Sequence, residues 1–147
     1  MNSKEKKWNV LRFTLIELVT VIAIMLILAG IALPAYNGIR NRANKTKAVA
    51  EIQSFVTAIA SFQTDMGRLP KTLDELVVNP GAGGKWQGPY LQRRKIQKDP
   101  WQNDYVYQVP SKEGGAGSYD IISYGSDGTP GGTGNAKDID NWPDDEE

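Results

Sequence analysis

The sequence contains neither cysteine nor histidine. Without cysteine there is no disulfide staple and no thiolate metal site. Without histidine the commonest general base and the commonest transition-metal ligand are both missing. No nucleophile–base pair can be assembled from what remains, so no enzymatic activity is expected. A hard cation held by oxygen atoms is the metal chemistry left open. Net charge is lacking too, because 17 basic and 17 acidic side chains cancel.

That zero is a sum of unlike ends. Residues 1–12 carry Lys4, Lys6, Lys7 and Arg12 against Glu5, whereas residues 113–147 carry nine acids against Lys137 alone. A basic head and an acidic tail point to different surroundings for the two ends. A length of 147 residues allows one compact domain with an appendage. The chain has no internal repeat.

What the chain does have is one long apolar run. Phe13 to Leu33 holds a single charge, Glu17. About 20 apolar residues cross a bilayer core as a helix, so the length predicts a transmembrane segment over 13–34. The basic residues ahead of it favour a cytoplasmic N-terminus. Arg40, Arg42, Lys45 and Lys47 follow it closely, so charge bias alone leaves the orientation open. A cleaved secretory signal would have a shorter core, roughly 7–15 residues, and a small-residue cleavage site. A plain anchor leaves Glu17 unexplained. A carboxylate within a span costs about 2.5–3.5 kcal/mol, and one helix offers it no partner. The partner has to come from another subunit or from the chain's own N-terminus.

Helical periodicity continues after Pro34. Ile39, Ala43, Val49, Ile52, Val56, Ile59 and Met66 recur mostly three or four apart, with Phe55 and Phe62 widening the stripe. Gly67 is a C-terminal stop. A helix from Phe13 to about Met66 would be roughly 80 Å long. The basic residues at 40–47 read as a solvated face that also meets lipid headgroups. Only Tyr36 interleaves them, so nucleic acid is not expected as a partner.

The remaining chain must cover that stripe. Thr72-Leu73-Asp74-Glu75 has the form of a capping box, predicting a short helix over 73–78. Ala82-Gly83-Gly84 reads as a flexible loop. Strands are expected over Tyr105–Val109 and Tyr119–Tyr124, separated by a turn-rich Pro110–Gly117. Tyr90, Trp101, Tyr105 and Tyr107 are read as large buried surfaces for a small core. The predicted class is α+β: a long N-terminal helix, half transmembrane and half amphipathic, packed by a small antiparallel sheet.

Ser123 to Pro130 opens a glycine-rich acidic loop that closes at Asp138-Ile139-Asp140-Asn141-Trp142. Such composition suits either calcium, which takes six to eight oxygens at flexible geometry, or a merely solvated acidic loop. The spacing does not match an EF-hand. Residues 143–147 read as a frayed acidic tail.

Phe13-Thr14-Leu15-Ile16-Glu17 after a basic leader resembles the processing site of the type IV pilin superfamily. Gly88-Pro89-Tyr90-Leu91, Asp99-Pro100-Trp101 with Asn103, Tyr105 and Tyr107, and the 123–142 loop resemble the major pseudopilins of type II secretion systems, the general secretion pathway protein G family. This resemblance implies that a prepilin peptidase removes residues 1–12 by cutting between Arg12 and Phe13, then methylates Phe13. It implies that Glu17 meets the N-terminal amine of a neighbouring subunit during assembly, and that Pro34 kinks the helix. Before the cleaved bond the family nearly always has glycine; this chain has Arg12.

The resemblance also implies a calcium ion bound by the Asp127 and Asp138 side chains and by carbonyls such as those of Tyr124 and Thr129. Where the family often has another acid this chain has Lys137, for which Asn135 or Asp140 could compensate. The implied organisation is a leader (1–12), a transmembrane segment (13–34), a periplasmic domain (35–142) and the tail. The implied function is a subunit of a periplasmic pseudopilus, a homo-oligomeric helical filament that drives protein export from the inner membrane. Minor pseudopilins, the inner-membrane assembly platform, prepilin peptidase and membrane lipid are the implied partners. The alternatives are a type IV pilin for adhesion or DNA uptake, and a solitary membrane-anchored calcium-binding domain.

Overall fold

The computed structural model describes residues 13–81, 84–112, 114–115 and 117–142. The leader 1–12, Ala82, Gly83 and the acidic tail 143–147 lie outside the described residues, as does the Pro34 side chain. The chain divides into two units, Met1–Ile39 and Arg40–Glu147.

One helix, α1 (Leu15–Met66), contributes to both units. It runs unbroken past Pro34 and stops at Gly67, where φ is +69°. The Gly67 N–H donates to the Gln63 carbonyl at 2.9 Å, a left-handed C-terminal ending that glycine adopts without a Cβ penalty. In the first unit the large apolar side chains stand exposed around the helix, among them Leu15, Ile16, Met25, Leu26 and Ile31. A helix apolar on all sides needs lipid or other helices around it. It is the one helix among the described residues long and apolar enough to cross a membrane.

In the second unit α1 presents Ala48, Ile52, Phe55, Ile59 and Phe62 to the core. Their spacing of four, three, four and three defines one helical face. That face continues backwards through Asn44 and Asn41, which are half-buried. The expected stripe is therefore shifted by about one residue at its start. Ile39, Ala43 and Val49 fall off this face and are exposed. Arg40, Arg42, Lys45 and Lys47 are exposed as expected.

A 3₁₀ turn over Leu73–Leu76 replaces the longer helix expected at 73–78. The capping box does not form there, since Thr72 makes no side-chain cap. Glu75 instead turns its Oε2 to Arg68 at 2.8 Å and to the Lys71 N–H at 3.3 Å. The Arg68 guanidinium offers the carboxylate a full positive charge, where a backbone N–H offers only a dipole. Leu73 and Leu76 are buried.

Three antiparallel strands follow: β1 (Val106–Gln108), β2 (Asp120–Ser123) and β3 (Ile139–Asp140), in the order β1-β2-β3. Val106 pairs with Ile122, and Ser123 pairs with Ile139. The first two strands fall inside their expected spans. The third was not expected, as two residues carry no readable alternation.

Ile121, Ile139, Leu91 and Tyr105 join the α1 face in one apolar core. Phe55 meets Tyr105 edge to face at 5.1 Å, and Phe62 meets Tyr90 at 5.6 Å. The aromatic residues read as architecture thus sit in or against the core. Fully burying each large apolar side chain contributes about 1.5–3 kcal/mol.

Candidate functional site

Two regions carry the residues singled out in the sequence. The first opens α1. The Thr14 N–H and the Thr14 hydroxyl each donate to Glu17 Oε2 at 2.9 Å. The Glu17 N–H donates back to Thr14 Oγ1 at 3.3 Å. These reciprocal bonds form a capping box. They satisfy donors at the helix start and hold the carboxylate beside the residue that follows Phe13. A negative group is favoured there by the helix dipole. Phe13 is exposed, and Arg12 lies outside the described residues.

The second region is the 123–142 loop. Its two halves are joined by the Ser126 N–H, which donates to the Asn135 carbonyl at 3.1 Å. Gly125 makes this approach possible. At φ +64° it faces the Asn135 and Lys137 carbonyls, and a Cβ there would come within 2.8 Å of the first and 3.1 Å of the second. Asp127 Oδ1 accepts the Thr129 N–H at 3.3 Å. Asp138 Oδ2 accepts the Gly131 N–H at 2.9 Å, which closes the loop across seven residues.

Asp138 Oδ1 is a buried oxygen without a hydrogen-bond partner. Leaving such an atom unsatisfied costs about 1–3 kcal/mol, more when charged, and a bound cation would remove that cost. Asp138 Oδ1 is thus a hard oxygen donor of the kind calcium takes, and Asp127 carries a second carboxylate in the same loop. Asp140 is placed differently. Its Oδ1 accepts the Trp142 N–H at 2.9 Å, and among the described residues no three acidic side chains converge. The Asn135 carbonyl, already bonded to Ser126, keeps one further lone pair.

Sequence reasoning missed three buried acids that brace this region. Asp99, 1% exposed, accepts the Trp101 and Asn103 N–H groups at 3.0 and 2.8 Å on Oδ1 and the Ser123 hydroxyl at 2.6 Å on Oδ2. Glu51 accepts the Tyr105 hydroxyl at 2.6 Å and the Arg93 guanidinium at 3.4 Å. Asp120 accepts the Ser111 hydroxyl, the Lys112 N–H at 2.9 Å and the Trp142 indole N–H at 2.7 Å. Burial pushes the Asp120 carboxyl upward, but the donors from Ser111, Lys112 and Trp142 outweigh it and hold the group below its ordinary value. Burial pushes the Tyr105 and Tyr107 phenols well above theirs. The D-P-W turn was the one sequence signal for Asp99; an Asx-type turn there is readable, its reach to Ser123 is not.

A model of type II secretion system protein G matches residues 36–142. The chain belongs to that protein G family. A type II secretion system core protein G of Vibrio cholerae is 37% identical over 136 residues, covering 88% of this chain and 90% of that one. The namesake in Escherichia coli is 36% identical over 137 residues, covering 88% and 89%. The crystal structure of the major pseudopilin from the type 2 secretion system of enterohaemorrhagic Escherichia coli superimposes with a TM-score of 0.53 at 29% identity, over 71% of this chain and 91% of that one. The long N-terminal helix with a small antiparallel sheet is thus the α+β fold of a protein G family member, and its apolar helix is a candidate membrane anchor.

Proposed function

We propose that the chain is the structural subunit of a pseudopilus in a type II secretion system. The observation that carries this reading is the family match over residues 36–142 next to an exposed, all-round apolar helix that opens with Glu17. A helix of that kind is satisfied first by lipid and then by the matching helices of other copies. Packing copies in one repeating, non-closing contact gives a filament. The chain would be a single-pass inner-membrane protein with its 35–142 domain in the periplasm. Minor pseudopilins and an inner-membrane assembly platform would be its partners. The subunit itself performs no chemistry in this account.

Prepilin peptidase would cut between Arg12 and Phe13, and Phe13 would be methylated. The new amine then lies one residue from the Thr14–Glu17 capping box, where Glu17 of a neighbouring copy can take it. A carboxylate and an ammonium paired in an apolar core offset part of the desolvation that each suffers alone. Calcium, held by Asp127, Asp138 and carbonyls such as those of Tyr124 and Thr129, would staple the loop onto the sheet in a chain without disulfides. Its role is structural.

Intact mass of the protein from native membranes tests the processing step. A species beginning at methylated Phe13 supports the reading. A species beginning at Met1 removes the amine on which the Glu17 pairing depends.

A further inference from the structure

We infer that Asn103 positions the calcium loop without being a ligand, holding both ligand-bearing segments in register from the turn that precedes β1. The inference rests on the calcium reading above and deepens it. The Asn103 side-chain amide donates to the Gly125 carbonyl at 2.8 Å. Its other terminus, Oδ1, lies 2.9 Å from where a Cβ on Gly128 would stand. The amide therefore touches the loop on both sides of Asp127, two residues before it and one after. Gly128 is a glycine for this reason as well as for its φ of +67°.

The effect extends to the second ligand. Gly125, once fixed by Asn103, abuts the Asn135 and Lys137 carbonyls on the segment that leads into Asp138. The Ser126 N–H, next in sequence, donates to that same Asn135 carbonyl. One side chain thus sets the approach of residues 125–128 to residues 135–138. Metal sites depend on such outer groups because a cation rewards ligands already in place.

Asn103 is itself held rigidly. Its N–H donates to Asp99 Oδ1 at 2.8 Å, and its carbonyl accepts the Asp99 N–H at 2.8 Å. Asp99 Oδ2 takes the Ser123 hydroxyl at the end of β2. The chain Asp99–Asn103–Gly125 ties the loop to the strand from which it departs.

The test is calcium titration by calorimetry on the full chain in detergent, after chelation, with Asn103→Ala and the milder Asn103→Ser, which keeps a hydroxyl donor. Tyr105→Phe serves as a comparator that weakens the fold through its bond to Glu51 on α1. The metal-free melting temperature of each is measured alongside. Asn103→Ala is expected to weaken calcium binding about tenfold or more, with Asn103→Ser between it and the unsubstituted chain. Tyr105→Phe is expected to melt earlier yet bind calcium as the unsubstituted chain does. Equal affinity in Asn103→Ala and the unsubstituted chain overturns the positioning role, as does an affinity loss matched by Tyr105→Phe. An unsubstituted chain that gives no calcium heat overturns the calcium reading itself, and this inference with it.

Discussion

The Tyr105 hydroxyl donates a 2.6 Å hydrogen bond to Glu51 Oε2, joining α1 to the residue that leads into β1 across 54 positions of sequence. Glu51 is 7% exposed and Tyr105 8%. A carboxylate so placed needs its partners, because an unpaired buried charge is far costlier than a paired one. Tyr105→Phe leaves Glu51 with the longer Arg93 contact alone. The expected loss is about 1.5–3 kcal/mol of stability, read from urea unfolding, since the bond is to a charged group. A loss under a few tenths of a kcal/mol would show that water replaces the phenol freely.

Alkaline titration gives the sign of the tyrosine effect. Tyr105, Tyr107 and Tyr119 are all shifted upward by burial. In the unfolded chain they ionise near pH 10, while the folded domain keeps them neutral. Their contribution is fully present below that pH and is lost as pH rises toward their folded values. The melting temperature is expected to fall steeply above about pH 10. Ultraviolet titration of the phenolate band should show the same residues ionising together with unfolding.

Asp120 works at the other end of the scale. Its carboxyl is held below the ordinary value, so its contribution is present above about pH 4 and disappears as pH falls through the depressed value. Trp142→Phe removes the 2.7 Å indole donor. The variant should lose about 2 kcal/mol near pH 7, and the gap to the unsubstituted chain should narrow as the solution is acidified below pH 4. A gap independent of pH would assign the loss to packing alone.

Gln102 holds a φ of +75°, the one positive value among the described non-glycine residues. A left-handed residue with a Cβ is strained by about 1–2 kcal/mol. The turn needs the conformation, because Gln102 sends its N–H to the Asp99 carbonyl at 2.9 Å. Gln102→Gly is therefore expected to stabilise the domain, by somewhat under that amount once the greater freedom of glycine when unfolded is counted. Denaturant midpoints check it.

Calcium at 100 times its dissociation constant should raise stability by about 2.7 kcal/mol if it binds the folded domain alone. Asp138→Ala removes the unpartnered Oδ1 together with Oδ2, the acceptor of the Gly131 N–H, so the metal-free variant should lose about 1 kcal/mol while the calcium response disappears. A calcium response that survives Asp138→Ala would place the ion elsewhere.

Much of this arrangement is legible in the sequence where local chemistry dominates. The helix from Leu15 to Met66, the strands around Tyr107 and Ile121, and the acidic loop follow from periodicity and composition. The capping-box pattern shows the limit. Thr14-Leu15-Ile16-Glu17 forms its box, and among the described residues no other side chain bonds the carboxylate. Thr72-Leu73-Asp74-Glu75 has the same form and fails because Arg68 takes Glu75. The reach of Glu51 to Tyr105, of Asp99 to Ser123 and of Asp120 to Trp142 joins residues distant in sequence, so no local pattern could announce it. β3 is visible only once Ile139 has Ser123 to pair with.

The most direct test of filament assembly is electron microscopy of cells producing the chain together with a type II secretion system and its prepilin peptidase. Thin helical filaments that contain this chain, starting at Phe13, are expected, and they should be lost in Glu17→Leu while the chain stays in the membrane. Filaments that persist undiminished in Glu17→Leu, or an unsubstituted chain that is made and inserted yet never assembles, would contradict the filament reading.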